Sequence, residues 1–530
     1  MNFSPSSNFH NLSTHQLVLL ITALAAALAA QIGYIQQGWV NNDSILYFEA
    51  ARLFAQGEWN TGFKLFPWPL YSGLIALTHK ITGFSLYFSA QLLNVIFFTI
   101  TTASFLKLIE ISGGNKNTLL AGGLILFSSQ YVVGDVMQML MRDQGFWAFF
   151  LTALYFFIRF YMHGRFKDAL FWQFSILIAM LFRIEAITFL LLLPMTLLLR
   201  SGVPLKTRLG SLTRAYLLNL ISALLLGLIV LLYKDFSVDQ LGRLREILTL
   251  DLYTELTKNL LQKSEVMASQ VLGGYLDEFA IEGILLTFLF VMISKTISAT
   301  GLINFGMAIF AFKQRKNLFN AEAWQVMRVA MLIAALNMFL IITKVFVLSG
   351  RYVVALAFML MILAAFFLAN SFKYYGRTGS DKSKKLLLTI VLIVLSLSLI
   401  KNILPKRDGY NYEQDAIAWL ALENPQMNSV FFDDARLRYY ANAPYVGRWS
   451  ENWRQVEEAI EEQRIHTYQY LVISHNEDHP EVEINMREQL PEYQEVHRSF
   501  NTRGKKSVAI YKRITDSPNN AQSNFESTTQ

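Results

Sequence analysis

The ionisable residues of the first 375 positions stand mostly at the ends of apolar stretches, and one set of them could do chemistry together. Asp43 closes a run from Gln16 to Asn42 that holds no charged residue. Arg142-Asp143 opens another apolar stretch, with Asp135 just before it. Arg183 and Glu185 form a tight turn between two more, Lys344 lies near the end of a later one, and Arg351-Tyr352 begins the next. A carboxylate can draw a proton from a sugar or protein hydroxyl. Arg can hold a phosphate bidentately, and Lys can hold it as a point charge. Beside a hydrophobic groove for a polyprenyl tail, such a set would transfer a sugar from a polyprenyl-phosphate donor, with the lipid phosphate leaving. Asp43 is then the candidate general base. Arg142, Asp143, Arg183, Lys344, Arg351 and Tyr352 are the candidate donor-binding residues.

Plainer readings stand beside this one. Asp43 could cap a helix over Ser44–Gln56, because helix amino termini favour Asp. Each of the other charges, taken alone, fits a snorkelling or capping role, although ionisable groups at membrane depth are functional candidates by default. Asp43 with Asp143 could hold Mg2+ or Mn2+ through waters. The eight histidines show no zinc-type spacing, and the chain has no cysteine, which excludes disulfides and thiolate chemistry.

The elements that must position these residues are membrane helices. Of 530 residues, 53% are hydrophobic and only 16% charged, where a soluble domain carries about a quarter charged residues. The apolar blocks fall at about 16–35, 81–106, 117–134, 144–162, 169–182, 186–200, 213–233, 281–312, 323–347, 352–372 and 385–404. They predict a polytopic α-helical membrane protein of about eleven spans. The block at 281–312 is too long for one crossing and carries Lys295, so part of it is expected along the interface. Met1 to His15 has no Lys or Arg, which suits a retained first span better than a cleaved signal peptide.

Alternate loops collect the basic residues: Arg159, Arg165 and Lys167; Arg200, Lys206, Arg208 and Arg214; Lys313, Arg315 and Lys316; then Lys373 to Lys385. The positive-inside rule places these loops and the amino terminus in the cytoplasm. Asp43, Asp143, Glu185, the 234–280 loop and the carboxyl-terminal region then lie outside. The net charge of +7 therefore follows membrane topology, and nucleic acid is not an expected partner.

The expected layout is a membrane domain over 1–404, with a first outer loop at 34–80 and a second at 234–280. In the second loop, Leu244, Ile247, Leu248, Leu252 and Leu256 recur at helical spacing, as in a helix lying on the membrane surface. A small extracytoplasmic α/β domain follows over 405–515. Its strand-like runs are Val430–Phe432, Tyr470–Ile473 and Val508–Tyr511, with helix over Glu451 to Gln463. The Ser/Asn/Thr-rich tail at 516–530 reads as disordered. Asp433-Asp434-Ala435-Arg436 reads as solvated charge at a strand end.

Asp43…Tyr47…Glu49-Ala50-Ala51-Arg52-Leu53, followed by Pro67-Trp68-Pro69-Leu70-Tyr71-Ser72-Gly73-Leu74, resembles the first outer loop of the integral-membrane GT-C glycosyltransferases. The run is most similar to that of the protein O-mannosyltransferase and aminoarabinose lipid A transferase family. Ile81-Thr82-Gly83, Arg142-Asp143 to Leu154, Arg183-Ile184-Glu185 and Gly350-Arg351-Tyr352 follow in the family's order over residues 1–375. The resemblance implies that Asp43 is the catalytic acid position, that Asp143 lies near phosphate and sometimes a metal, and that Arg351, Lys344 and Arg183 hold the lipid phosphate. Many relatives have an acidic pair in the first loop, but Ser44 follows Asp43 here. That leaves Asp43 as the single candidate base.

The expected partners are a polyprenyl-phosphate sugar donor, membrane lipids, and a glycan, glycolipid or protein acceptor, in the inner membrane of a bacterial envelope. Inversion at the sugar is implied by the family. The alternatives are a transporter or flippase of lipid-linked saccharides, which would more often show repeated halves or broken midplane helices, and a polysaccharide polymerase or ligase using the same donor.

Overall fold

A computed structural model describes residues 12–36, 38–232, 252–372, 382–404, 411–446 and 453–514. The chain divides into two compact units, one of residues 1–34 and 50–404, the other of 35–49 and 405–530. The first unit is helical: α1 (Thr14–Ile35), α2 (Asn42–Gln56, begun in the other unit), α3 (Trp59–Leu65), α4 (Leu70–Thr82), α5 (Leu86–Ile111), α6 (Lys116–Phe127), α7 (Asp143–His163), α8 (Phe166–Phe182), α9 (Ala186–Leu192) and α10 (Leu205–Leu232). It continues with α11 (Leu252–Met267), α12 (Ala280–Thr300), α13 (Leu302–Lys313), α14 (Ala321–Val345), α15 (Gly350–Ser371) and α16 (Lys382–Ile403).

Among the described residues, seven helices are long and apolar enough to cross a bilayer, or eight if the bent pair of α6 with the turn Gln130–Val136 is one span. This is the make-up of a polytopic membrane protein. The blocks at 169–182 and 186–200 lie in shorter pieces: α8 has 17 residues, and α9 gives way to a 3-10 stretch, Leu193–Leu199, at Pro194. The long 281–312 block breaks at Gly301, whose φ of 86° ends α12 and starts α13. Of the surface helix expected in 234–280, residues 233–251 lie outside the described ones, and α11 and a short turn make up the rest. The 516–530 tail also lies outside them, as do residues 373–381.

Two packing details show how this unit closes. The bend after α6 releases the carbonyls of Phe127 and Ser129, and Asn402 of α16 donates to both at 3.2 Å. That satisfies backbone which hydrocarbon could not. Helices α7 and α8 meet closely at Gly145, where an added Cβ would stand 2.3 Å from the Phe182 ring. Gly145→Ala is expected to cost about 1–3 kcal/mol through overpacking, read as an earlier thermal unfolding transition in detergent. An unchanged transition would show that Phe182 can move aside.

The second unit holds α17 (Asn411–Glu423), β1 (Val430–Phe432), α18 (Ala435–Tyr440), α19 (Arg454–Glu461), β2 (Tyr470–Asn476), α20 (Glu481–Gln489), β3 (Tyr493–Phe500) and β4 (Lys506–Arg513). The sheet order is β1-β2-β4-β3, with β1 parallel to β2 and the other pairs antiparallel. Successive residues feed opposite cores. Val430, Phe432, Val472 and Ile510 pack with Tyr412, Ile417 and Leu437 of α17 and α18. Phe431, Leu471, Ile473 and Tyr511 pack with Val456 of α19 and Met486 of α20. Burial on both faces explains why the strands read as unbroken apolar runs. The edge strand β3 was not expected, because half of its residues are exposed and it carries no such run.

Asp433 is not solvated, contrary to the sequence reading, and Asp434 is only partly exposed. Asp433 is buried and accepts from the Ser474 N–H at 2.7 Å and the Ser474 hydroxyl at 3.1 Å, tying the end of β1 to β2. Asp434 caps α18 by accepting from the Arg436 N–H at 2.7 Å. Burial, with Asp434 adding to it, pushes the Asp433 carboxyl up to about 8, and burial lifts Glu413 to about 7. Burial lowers His475 to about 4.

The signs oppose each other below the ordinary histidine value of 6.5. Above it only the carboxyls act, since the folded state keeps protons that the unfolded chain has lost. Between about pH 6.5 and 8 this unit is therefore expected to lose stability as pH rises. Asp433→Asn should flatten that slope in thermal melts followed across the window. An unaltered slope would mean Asp433 is already ionised at neutral pH.

Candidate functional site

In the helical unit, four loops and helix ends bring the candidate residues to one place. Arg142 precedes α7 and Asp143 begins it, where the helix dipole favours an acid. Arg183 ends α8, Glu185 precedes α9, and Arg351-Tyr352 lie in the first turn of α15. Arg183 forms an ion pair with Asp143, and both side chains are almost fully enclosed, at 2% and 1% exposure. The same guanidinium reaches Glu185, with Nη2 3.0 Å from Oε1 and Nε 3.3 Å from Oε2. Its carbon lies 4.7 Å from the centre of the Tyr352 ring, a cation–π contact.

A partly open cleft lies over this pair. It is lined by Arg183, Glu185, Arg351, Tyr352 and Asn337, with Phe146, Phe189, Ala334 and Ala355 as its apolar wall. Asn337 fixes the turn by donating to the Glu185 carbonyl at 3.1 Å. Tyr131 holds Gly350 close, since a Cβ there would fall 2.4 Å from the Tyr131 ring. The charges that act on Asp143 are those of Arg183, Arg351 and Arg142. Arg142 is buried, with its guanidinium 5.7 Å from the Phe66 ring centre. The result is a small cleft with two arginines, Arg183 and Arg351, beside an apolar wall.

Of the candidate residues, Arg183, Arg351 and Tyr352 line one cleft, Asp143 is paired with Arg183 beside it, and Arg142 is not among the lining residues. Lys344 stands in the last turn of α14 and is not among the cleft's lining residues. Asp43 belongs to the other compact unit, with residues 35–49. There it takes the second helical position of α2. The Asn41 carbonyl accepts from the Ser44 N–H at 2.9 Å and the Asn41 side chain accepts from the Ser44 hydroxyl, so Asn41 closes the first turn and holds the cap position.

A divalent metal does not fit Asp143. Its carboxylate is paired with Arg183 and feels the charges of Arg351 and Arg142, which disfavour a further cation, and among the described residues no group of three or more His, Asp or Glu could hold an ion. Asn337 and Tyr131 were missed from the sequence. A lone Asn inside the apolar α14 was a readable signal, whereas Tyr131 carried none.

No known protein family matches this chain, and no curated protein does. Among solved structures, a cryo-EM structure of the arabinofuranosyltransferase AftD from Mycobacteria is similar at a TM-score of 0.44 and 12% identity, over 95% of this chain and 42% of that one. The chain spans about two fifths of that protein's length.

Proposed function

We propose that this protein is a membrane glycosyltransferase that moves a sugar from a polyprenyl-phosphate donor to a hydroxyl of an envelope glycan, glycolipid or protein. The observation that carries the reading is the cleft of Arg183, Glu185, Arg351 and Tyr352 with its apolar wall, a setting for a lipid-borne phosphate. The distribution of basic loops supports an amino terminus in the cytoplasm and chemistry on the outer face of a bacterial inner membrane.

Asp43 takes the proton of the acceptor hydroxyl as its oxygen bonds to the sugar's anomeric carbon. The bond from that carbon to the phosphate oxygen breaks, and polyprenyl phosphate leaves with the electron pair. Attack opposite the leaving group inverts the anomeric centre. Arg351 stabilises the phosphate charge. Arg183, already committed to Asp143 and Glu185, orients the cleft and the Tyr352 ring.

Decaprenyl phosphate binding to the protein in nanodiscs tests the phosphate site. Losing a charge-assisted hydrogen bond costs about 2 kcal/mol, so Arg351→Ala is expected to weaken binding roughly thirtyfold. Equal binding by both proteins would remove Arg351 from the site.

A further inference from the structure

The segment that bears Asp43 folds with the carboxyl-terminal unit and is gripped there on both sides of the carboxylate. Before Asp43, the Val40 N–H donates to the Tyr440 hydroxyl at 3.2 Å. The Gln414 side chain also hydrogen-bonds to that hydroxyl. Gly38 lies against the same amide, since a Cβ there would fall 3.0 Å from Gln414 Nε2, and its φ of +86° already favours glycine. After Asp43, Phe48 packs on Tyr439 with ring centres 5.8 Å apart. Val40 itself is wholly buried.

The gripping helices α17 and α18 are fastened to each other. Arg436 of α18 pairs with Glu413 of α17 at 3.1 Å and with Asp434 at 3.2 Å. Tyr412 donates to Glu413 at 3.3 Å. Such a locked supporting layer is what accurate placement of a reacting group requires.

We infer that Tyr440, Tyr439 and Gln414 are positioning residues for Asp43, and that the carboxyl-terminal domain serves to hold this carboxylate in place. The inference rests on Asp43 being the base. Tyr440→Phe keeps the ring and removes only the hydroxyl that Val40 and Gln414 engage.

Hydrogen–deuterium exchange on the full chain in nanodiscs tests the grip itself. Loss of one hydrogen bond is expected to speed exchange across 38–48 roughly tenfold, with peptides of β2 and β4 unchanged as the control for folding. In cells, Tyr440→Phe should lower the glycan product that Asp43→Asn abolishes, while decaprenyl phosphate binding stays at the wild-type level. Unchanged exchange in both Tyr440→Phe and Tyr440→Ala would overturn the grip. Faster exchange with full transfer, where Asp43→Asn still abolishes it, would overturn the positioning role. Full transfer by Asp43→Asn would instead overturn the base and the positioning role together, and the exchange result tells that failure apart.

Discussion

Asp43→Asn is expected to yield a protein that inserts and folds normally but transfers sugar roughly 10²- to 10⁴-fold more slowly, the usual contribution of a positioned general base. The substitution keeps the side chain's size and its place on α2, and the hydrogen bonds that close the first turn come from Asn41 and Ser44. Little stability should be lost. The amide cannot accept the acceptor's proton, so the deficit belongs to turnover. The next position in the sequence is Ser44, so the first loop offers no adjacent acid to take over. Unaltered turnover would remove Asp43 as the base.

The second large effect is one of stability. Arg183→Leu leaves Asp143 buried with its ion-pair partner gone, and breaking a buried pair from one side costs about 3–5 kcal/mol. Arg142 and Arg351 remain among the charges that act on Asp143, which argues for the lower end of that range. Removing both charges, as in Asp143→Leu with Arg183→Leu, should regain part of the loss, the rest persisting because Glu185 also loses its Arg183 partner. The double variant should still bind the donor more weakly, because Tyr352 loses the guanidinium that rests on it. Thermal unfolding in detergent separates the cases. A single variant as stable as the double would mean Asp143 is neutral in the folded protein.

The physical reasons for what could be read from the sequence differ by element. The strands β1, β2 and β4 announced themselves because helices cover the sheet on both faces, leaving unbroken apolar runs. The edge strand β3 had no such pressure. Arg142-Asp143, Arg183 and Arg351-Tyr352 were visible as charges interrupting apolar blocks, where each has a cost. Their pairing was not visible, because Asp143 and Arg183 lie 40 positions apart and only the α7–α8 hairpin brings them together. Asp433 misled for a related reason: a carboxylate beside another acid reads as solvated unless Ser474, 41 residues away, is known to cover it. The grip on Asp43 was equally hidden, since Val40 and Tyr440 are separated by 400 positions.

The most direct test of glycosyl transfer compares envelope glycans and polyprenyl-linked sugars, by mass spectrometry, in cells carrying the wild-type chain or Asp43→Asn at equal membrane levels. The expected result is one sugar missing from a glycan, glycolipid or protein in the variant, with the matching polyprenyl-phosphate sugar accumulating. Identical glycans and identical lipid-linked sugars in the two strains would contradict it.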